Sequence, residues 1–232
     1  MNIALVLSGG TGTRLEADIP KQYIEIKGKP ILLYCLDTLY NSEMIDGVQI
    51  VAAEEWQDKI RSWMETFGMV DKFKGFSLPG DNRQLSIFNG LTDIRRYAAD
   101  EDLVMIHDGA RPLLSSRLIA ECFGAIEGYD GVLPVLPMKD TVYLSKNGKE
   151  ITALLNRSEV CAGQAPELFR LGVYYRANED LLPDKILQVN GSTEPAILGG
   201  LKVAVIPGEE GNFKITTQPD LERFRGIVED MR

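Results

Sequence analysis

The sequence holds 232 residues, 44% of them apolar and 25% charged, with a formal net charge of −9. That size suits one domain over residues 1–232 with a substantial buried core. The negative balance argues against a nucleic acid or an anionic membrane as partner, so an anionic small molecule would need cations gathered locally.

In chain order, Ile3–Leu7 reads as a buried strand that runs into Ser8-Gly9-Gly10-Thr11-Gly12-Thr13-Arg14 and then Pro20-Lys21. Glycines at 9, 10 and 12 let backbone amides approach an anion. Arg14 can grip two phosphate oxygens at once, and Lys21 supplies a movable point charge. The layout is that of a phosphate site. It is not a Walker A loop, which ends Gly-Lys-Ser/Thr, and it lacks the third dinucleotide-fingerprint glycine where Leu15 stands. Lys27 and Lys29, either side of Gly28, read as surface lysines.

A buried helix is predicted from Ile31 to Leu39 and a strand over Gly47–Ala52. A helix over 54–67 places Trp56, Ile60, Trp63 and Phe67 on one core-facing side. Phe73–Leu78 is the third strand. Gly80-Asp81-Asn82 breaks the chain before a helix that carries Ile87, Leu91, Ile94 and Ala98 on one side. Leu103–Ile106 is a strand ending at His107-Asp108-Gly109. Asp108 stands where open α/β sheets place metal or hydroxyl ligands, with a turn or cap as the competing role. His107 reads as a packed, hydrogen-bonded histidine rather than a base. Arg111 adds a cation to the same edge.

Ser115 or Ser116 caps the following helix, and Gly131–Val135 is another strand. Residues 138–160, two short strands around Asn147-Gly148, read as an inserted β-hairpin arm suited to dimerisation. Lys214, within Asn212–Thr217, is predicted inside an apolar strand, where it loses solvation unless an anion meets it. Leu221, Phe224, Ile227 and Met231 mark a C-terminal helix face.

The alternation predicts an α/β fold: a single Rossmann-like, mostly parallel sheet with helices on both faces and a projecting β-hairpin arm. Loops 8–14, 80–86 and 107–112 each follow a strand, so they should share the carboxyl edge where such sheets bind ligands. Cys35, Cys122 and Cys161 lack CxxC spacing, and there is one histidine. Both points argue against zinc and for reduced thiols. No apolar run approaches the ~18 residues of a span, and no signal peptide is evident, so a cytoplasmic location is expected.

These motifs, taken in order, resemble the 2-C-methyl-D-erythritol 4-phosphate cytidylyltransferase family, which includes the ribitol 5-phosphate cytidylyltransferases. The resemblance rests on Ser8–Arg14, Pro20-Lys21-Gln22-Tyr23, Gly80–Ser86, His107–Pro112, Lys139-Asp140-Thr141, Asn156-Arg157, Gln164-Ala165-Pro166 and Asn212–Thr217. It implies transfer of CMP from CTP to a polyol phosphate, with Mg²⁺ as cofactor and release of pyrophosphate. Arg14, Lys21 and Lys214 would be catalytic. Ser8, Gly9, Gly10, Thr11, Gly12, Gly80, Asp81, Ser86 and Asp108 would bind the nucleotide. Asp108, Arg111, Asp140, Arg157 and Thr193 would bind the acceptor. Asp108 is also a candidate metal contact, and Arg157 would reach a neighbour's site across a homodimer built on the arm.

Two departures bear on the acceptor. Gln164-Ala165-Pro166 stands where the methylerythritol enzymes show Gln-Thr-Pro, and Thr193-Glu194-Pro195-Ala196 introduces a proline. The expected acceptor is 2-C-methyl-D-erythritol 4-phosphate, as in isoprenoid precursor synthesis. Ribitol 5-phosphate for surface polysaccharide is the alternative, and a nucleotide-binding module without turnover is the reading from a different class.

Overall fold

The computed structural model describes residues 1–10 and 19–230. Its centre is an eight-stranded mixed sheet. The strands are β1 (Asn2–Leu7), β2 (Gly47–Val51), β3 (Phe73–Ser77), β4 (Leu103–Asp108), β5 (Gly131–Pro137), β6 (Cys161–Gly163), β7 (Glu167–Arg170) and β8 (Val203–Pro207). Their order is β6-β5-β7-β4-β1-β2-β3, with β8 pairing along β5. The half containing β4, β1, β2 and β3 is parallel throughout. β7 runs antiparallel to both β4 and β5, and β6 runs antiparallel to β5.

The parallel half explains why its sequence is so apolar. β1 buries Ile3 and Leu5 on one face and Ala4 and Val6 on the other, so alternation disappears. One face packs against α1 (Ile31–Asn41), α2 (Glu54–Thr66) and α4 (Ser116–Gly124) through Leu36, Ile60, Met64, Leu118 and Cys122. The other packs against α3 (Arg83–Ile94), α5 (Leu171–Glu179) and α6 (Glu194–Leu198) through Ile87, Leu91, Tyr174 and Ala196. A smaller cluster seats α7 (Gln218–Asp230), through Leu221, Phe224 and Val228, on Ile26, Ile31 and Ile215. The α2 stripe is core packing as expected, with Trp56 stacked on Tyr23 at 4.3 Å, except that Phe67 lies past the helix end and is exposed. Ser115 caps α4 by accepting from the Leu118 amide. Cys35 and Cys122 are buried free thiols whose pKa values burial pushes up to about 12, and Cys161 is exposed.

Three sequence expectations change. Lys214 lies in an extended stretch outside any strand, anchored by one backbone bond from Ile215 N–H to the Ala110 carbonyl at 2.9 Å. The arm's ladder is only two residue pairs, Tyr143 with Leu154 and Leu144 with Ala153. Asn147-Gly148 sits in a longer bend, where the Asn147 side chain accepts from the Lys149 and Glu150 amides and Gly148 adopts φ +69°. Lys27 is surface-located but occupied: its ammonium donates to the Val228 and Glu229 carbonyls, meeting the negative end of α7.

Candidate active site

Strand register brings the predicted loops to one edge. Leu7 pairs with Asp108 on one side and Val51 on the other, and Val51 pairs with Ser77. The loops after β1, β3 and β4 therefore leave from neighbouring strand ends. Between them lies a cavity of about 590 Å³, lined by Gly9, Gly10, Lys21, Gly80, Asp81, Arg83, Ser86, Asp108 and Lys214 among others.

Each wall is fixed locally. Gly9 backs onto Pro79 so closely that an added Cβ would sit 2.7 Å from the Pro79 Cβ, so this position is set by close approach. Gln22 donates to the Ser8 and Gly10 carbonyls at 2.7 and 2.8 Å, and the Tyr23 hydroxyl donates to the Ser8 carbonyl at 2.8 Å. The residues straight after Lys21 thus tie down the start of the glycine loop. Ser8 itself is buried, with its hydroxyl turned to Tyr23. On the β3 side, Asn82 caps α3 by accepting from the Leu85 amide, and the Ser86 hydroxyl accepts from Gly80 N–H and donates to the Asn82 carbonyl. Ser86 lines the cavity while holding its loop shut. On the third side, the Asp220 carboxylate accepts from the amides and hydroxyls of Thr216 and Thr217, which fixes the stretch carrying Lys214. Although burial opposes ionisation, those donors lower the Asp220 pKa to about 2.

Asp108 is the electrostatic centre, its side chain only 8% exposed. Oδ1 accepts from Arg83 Nε and Nη2 at 3.2 and 3.0 Å. Oδ2 meets Arg111 Nε and Lys214 Nζ, each at 3.2 Å. Burial alone would raise its pKa, but Arg83, Lys214 and Arg111 override that and hold it far below the carboxylate range. The anion that Lys214 meets is therefore internal, and its side chain, 34% exposed, also lines the cavity. Arg111 also donates from Nη1 to the Asn212 carbonyl at 2.9 Å, and it does not line the cavity. His107 is fully buried beside this hub, and its Nε2 meets the Arg111 carbonyl at 3.0 Å, which requires the Nε2–H tautomer. Burial lowers its pKa to about 4, so it stays neutral.

The donor set decides how a divalent cation could be held. Asp108 is saturated by three cations, and among the described residues no group of three or more His, Cys, Asp or Glu side chains stands together. A protein-held metal at Asp108 does not fit these residues.

Asp140, Arg157 and Thr193 do not line the cavity. Arg157 is exposed and donates to the Lys139 carbonyl at 2.7 Å; Asp140 is exposed beside it. Thr193 precedes α6 without capping it, and its buried hydroxyl has no hydrogen-bond partner among the described residues. Arg14, Thr11 and Gly12 lie outside the described residues. Sequence reasoning passed over Arg83 although it quoted its loop; the signal was a basic residue at the first position of a helix facing a strand-end carboxylate. It also passed over Glu167, which is buried 4.0 Å from Arg83, because β7 carries no periodicity in four residues.

The profile of the 2-C-methyl-D-erythritol 4-phosphate cytidylyltransferase family matches residues 2–230. The chain belongs to that family. It is, accordingly, a CTP-dependent nucleotidyltransferase. This cytidylyltransferase is 36% identical over 232 aligned residues to the 2-C-methyl-D-erythritol 4-phosphate cytidylyltransferase of Rubrobacter xylanophilus, covering 97% of this chain and 94% of that one. It is 29% identical to the ribitol-5-phosphate cytidylyltransferase of Streptococcus agalactiae serotype III, covering 99% and 96%. The crystal structure of 4-diphosphocytidyl-2C-methyl-D-erythritol synthase from Anaerococcus prevotii superposes with a TM-score of 0.83 at 26% identity, covering 98% and 96%. The Rossmann-like α/β class predicted from sequence is therefore the observed one. Among the described residues, no helix is long and apolar enough to cross a membrane.

Proposed function

We propose that this cytidylyltransferase transfers CMP from CTP to 2-C-methyl-D-erythritol 4-phosphate. The observation that carries the reading is the cavity in which Lys21, Arg83 and Lys214 converge at the carboxyl ends of the parallel strands. The family sets the reaction, and the 36% identical relative favours the methylerythritol acceptor.

In this reading the acceptor's phosphate oxygen attacks the α-phosphorus of CTP, forming a P–O bond. The bond from α-phosphorus to the bridging oxygen breaks, and pyrophosphate leaves with the electron pair. The nucleophile is already ionised near pH 7, so no protein base is needed. Catalysis is positioning and charge stabilisation. The amides near Gly9 and Gly10 and the Lys21 ammonium receive the triphosphate; the family resemblance implies the same role for Arg14. Lys214 stands at the α-phosphate, where negative charge gathers on a five-coordinate phosphorus. Asp108 keeps Lys214 in place by a contact at 3.2 Å. Asp81 and Ser86 form the nucleoside side. Mg²⁺ bound with the nucleotide, rather than on a carboxylate of this chain, would supply charge screening for the phosphates. The arm at 138–160 brings Arg157 to a neighbouring subunit's acceptor phosphate in a homodimer, which accounts for its distance from this chain's own cavity.

A ribitol 5-phosphate acceptor is the second reading, favoured by the Streptococcus agalactiae relative and by Ala165 and Pro195. The test is pyrophosphate release with CTP, Mg²⁺ and each acceptor side by side. A kcat/KM at least tenfold higher for methylerythritol phosphate supports the proposal. The opposite ranking reassigns the acceptor. CTP binding with no turnover on either acceptor turns this chain into a nucleotide-binding module.

A further inference from the structure

We propose that Glu167, which does not touch the cavity, is a positioning residue for the transfer: it holds Arg83 from behind and ties it to the Ser192–Thr193 loop. This rests on the cytidylyl-transfer reading above.

Register brings Glu167 there. β7 runs antiparallel to β4 and pairs Glu167 with Ile106. Directly opposed residues on antiparallel strands point to the same face, and so do residues two apart on one strand. Glu167, Ile106 and Asp108 therefore share a face, and two carboxylates approach one guanidinium. Asp108 Oδ1 holds Arg83 Nε and Nη2 at 3.2 and 3.0 Å, and Glu167 Oε2 stands 4.0 Å from the same Nη2. Arg83 borders the cavity, whereas Glu167 is only 7% exposed and absent from its lining.

The second carboxylate oxygen faces the other way. Glu167 Oε1 accepts from the buried Ser192 hydroxyl, and the Ser192 carbonyl accepts from the Tyr174 hydroxyl at 2.6 Å. Tyr174 in turn receives a hydrogen bond from Gln84, the residue after Arg83, which also donates to Asn178. The helix carrying Arg83 and the loop carrying Thr193 are thus joined twice, once through Glu167 and once through Tyr174. A buried carboxylate is costly unless it is paired, and Glu167 Oε2 has no hydrogen-bond partner. Its pairing is the longer-range attraction to Arg83. Burial shifts its pKa upward, and Arg83 and Ser192 offset that only in part.

The arrangement has a definite consequence. Arg83, Arg111 and Lys214 carry three positive charges around the single charge of Asp108. Glu167 pulls Arg83 away from the incoming phosphates and sets how much of that excess reaches them. Neutralising Glu167 without changing its shape leaves Arg83 free to follow the nucleotide's charge rather than keep its position for the transfer.

The experiment is Glu167→Gln, with Ser192→Ala alongside. Glu167→Gln should bind CTP, by calorimetry, as tightly as the parent chain or up to about threefold tighter, since a negative charge near a tetra-anion is gone. Its kcat should fall about tenfold while its melting temperature holds within a few degrees. Ser192→Ala should raise KM for the acceptor severalfold and leave CTP affinity unchanged. A kcat for Glu167→Gln within twofold of the parent, or a joint loss of CTP affinity and melting temperature, overturns the proposal. Glu167→Ala leaves a cavity as well, so the amount by which its melting temperature falls below that of Glu167→Gln separates lost packing from lost charge. The calorimetric arm needs no acceptor: weakened CTP binding by Glu167→Gln counts against Glu167 even where both acceptors prove wrong, whereas failure of the parent chain on both acceptors counts only against the acceptor assignment.

Discussion

The cavity edge and the 138–160 arm differ in how their residues are held. At the edge, Asp108, Gln22 and Gln84 are buried and hydrogen-bonded, and the cations beside them are fixed from behind. On the arm, Tyr143, Leu144, Ile151 and Leu154 are exposed, the ladder is two pairs long, and Arg157 has one backbone contact. A pre-organised polar site does its electrostatic work without rearranging, whereas a two-pair hairpin is marginal by itself. The cavity edge is therefore held in place within the chain, whereas the 138–160 segment has little of its own to hold it.

The sharpest way to break that contrast is at Lys214. Lys214→Ala removes a cation at the cavity but leaves Asp108 paired with Arg83 and Arg111. We expect kcat to fall about 10²–10³-fold, the usual cost of losing one transition-state donor, with the melting temperature unchanged within a few degrees. Pyrophosphate release and thermal denaturation measure the two sides. Turnover within tenfold of the parent would remove Lys214 from the chemistry.

Asp108→Asn probes the same hub from its anion. It leaves three cations facing a neutral amide, and breaking a buried pair from one side costs about 3 kcal/mol. Urea unfolding at neutral pH should show that loss. Unchanged stability would mean that the three cations are solvated well enough to stand alone.

His107 gives the edge a pH signature. An unfolded imidazole gains its proton near pH 6.5, whereas the folded one stays neutral down to about 4. Between those values the unfolded chain binds more protons, so stability falls as pH drops through the window. At about 1.4 kcal/mol per pH unit, the loss across the window is at most about 3–4 kcal/mol. His107→Gln keeps a donor for the Arg111 carbonyl and should flatten that dependence in urea unfolding at about pH 7 and about pH 4.5. An unchanged slope would assign it to other groups.

How much was legible in the sequence follows the same contrast. β1 and β4 could be read because strands buried on both faces are continuous apolar runs, and the glycines and prolines after them mark the loops. Convergence of the 80–86 and 107–112 loops then followed from parallel topology alone. What could not be read depends on non-local pairing. β6 and β7 are three and four residues long, too short for periodicity, so the antiparallel half and Glu167 within it were invisible. Lys214 was singled out as a lysine inside an apolar strand, yet it stands outside any strand, and no local pattern could name Asp108, 106 residues earlier, as the carboxylate it meets.

The smallest expected effect lies on the arm and bears most directly on the acceptor. Among the described residues the Arg157 side chain makes one hydrogen bond, to the Lys139 carbonyl, so its removal should leave the fold alone. If it serves a neighbouring subunit's acceptor phosphate, Arg157→Ala should raise KM for the acceptor about tenfold, the order of one charge-assisted contact, and leave KM for CTP within twofold. Leu154→Asp places a charge among the arm's exposed apolar side chains and should shift sedimentation toward the monomer with the same acceptor penalty. The two variants must agree, because a site completed by the partner fails equally from a missing guanidinium or a missing partner. A monomer with normal acceptor KM, or an Arg157→Ala effect confined to CTP, would return the acceptor site to this chain's own cavity and the Thr193 loop beside it.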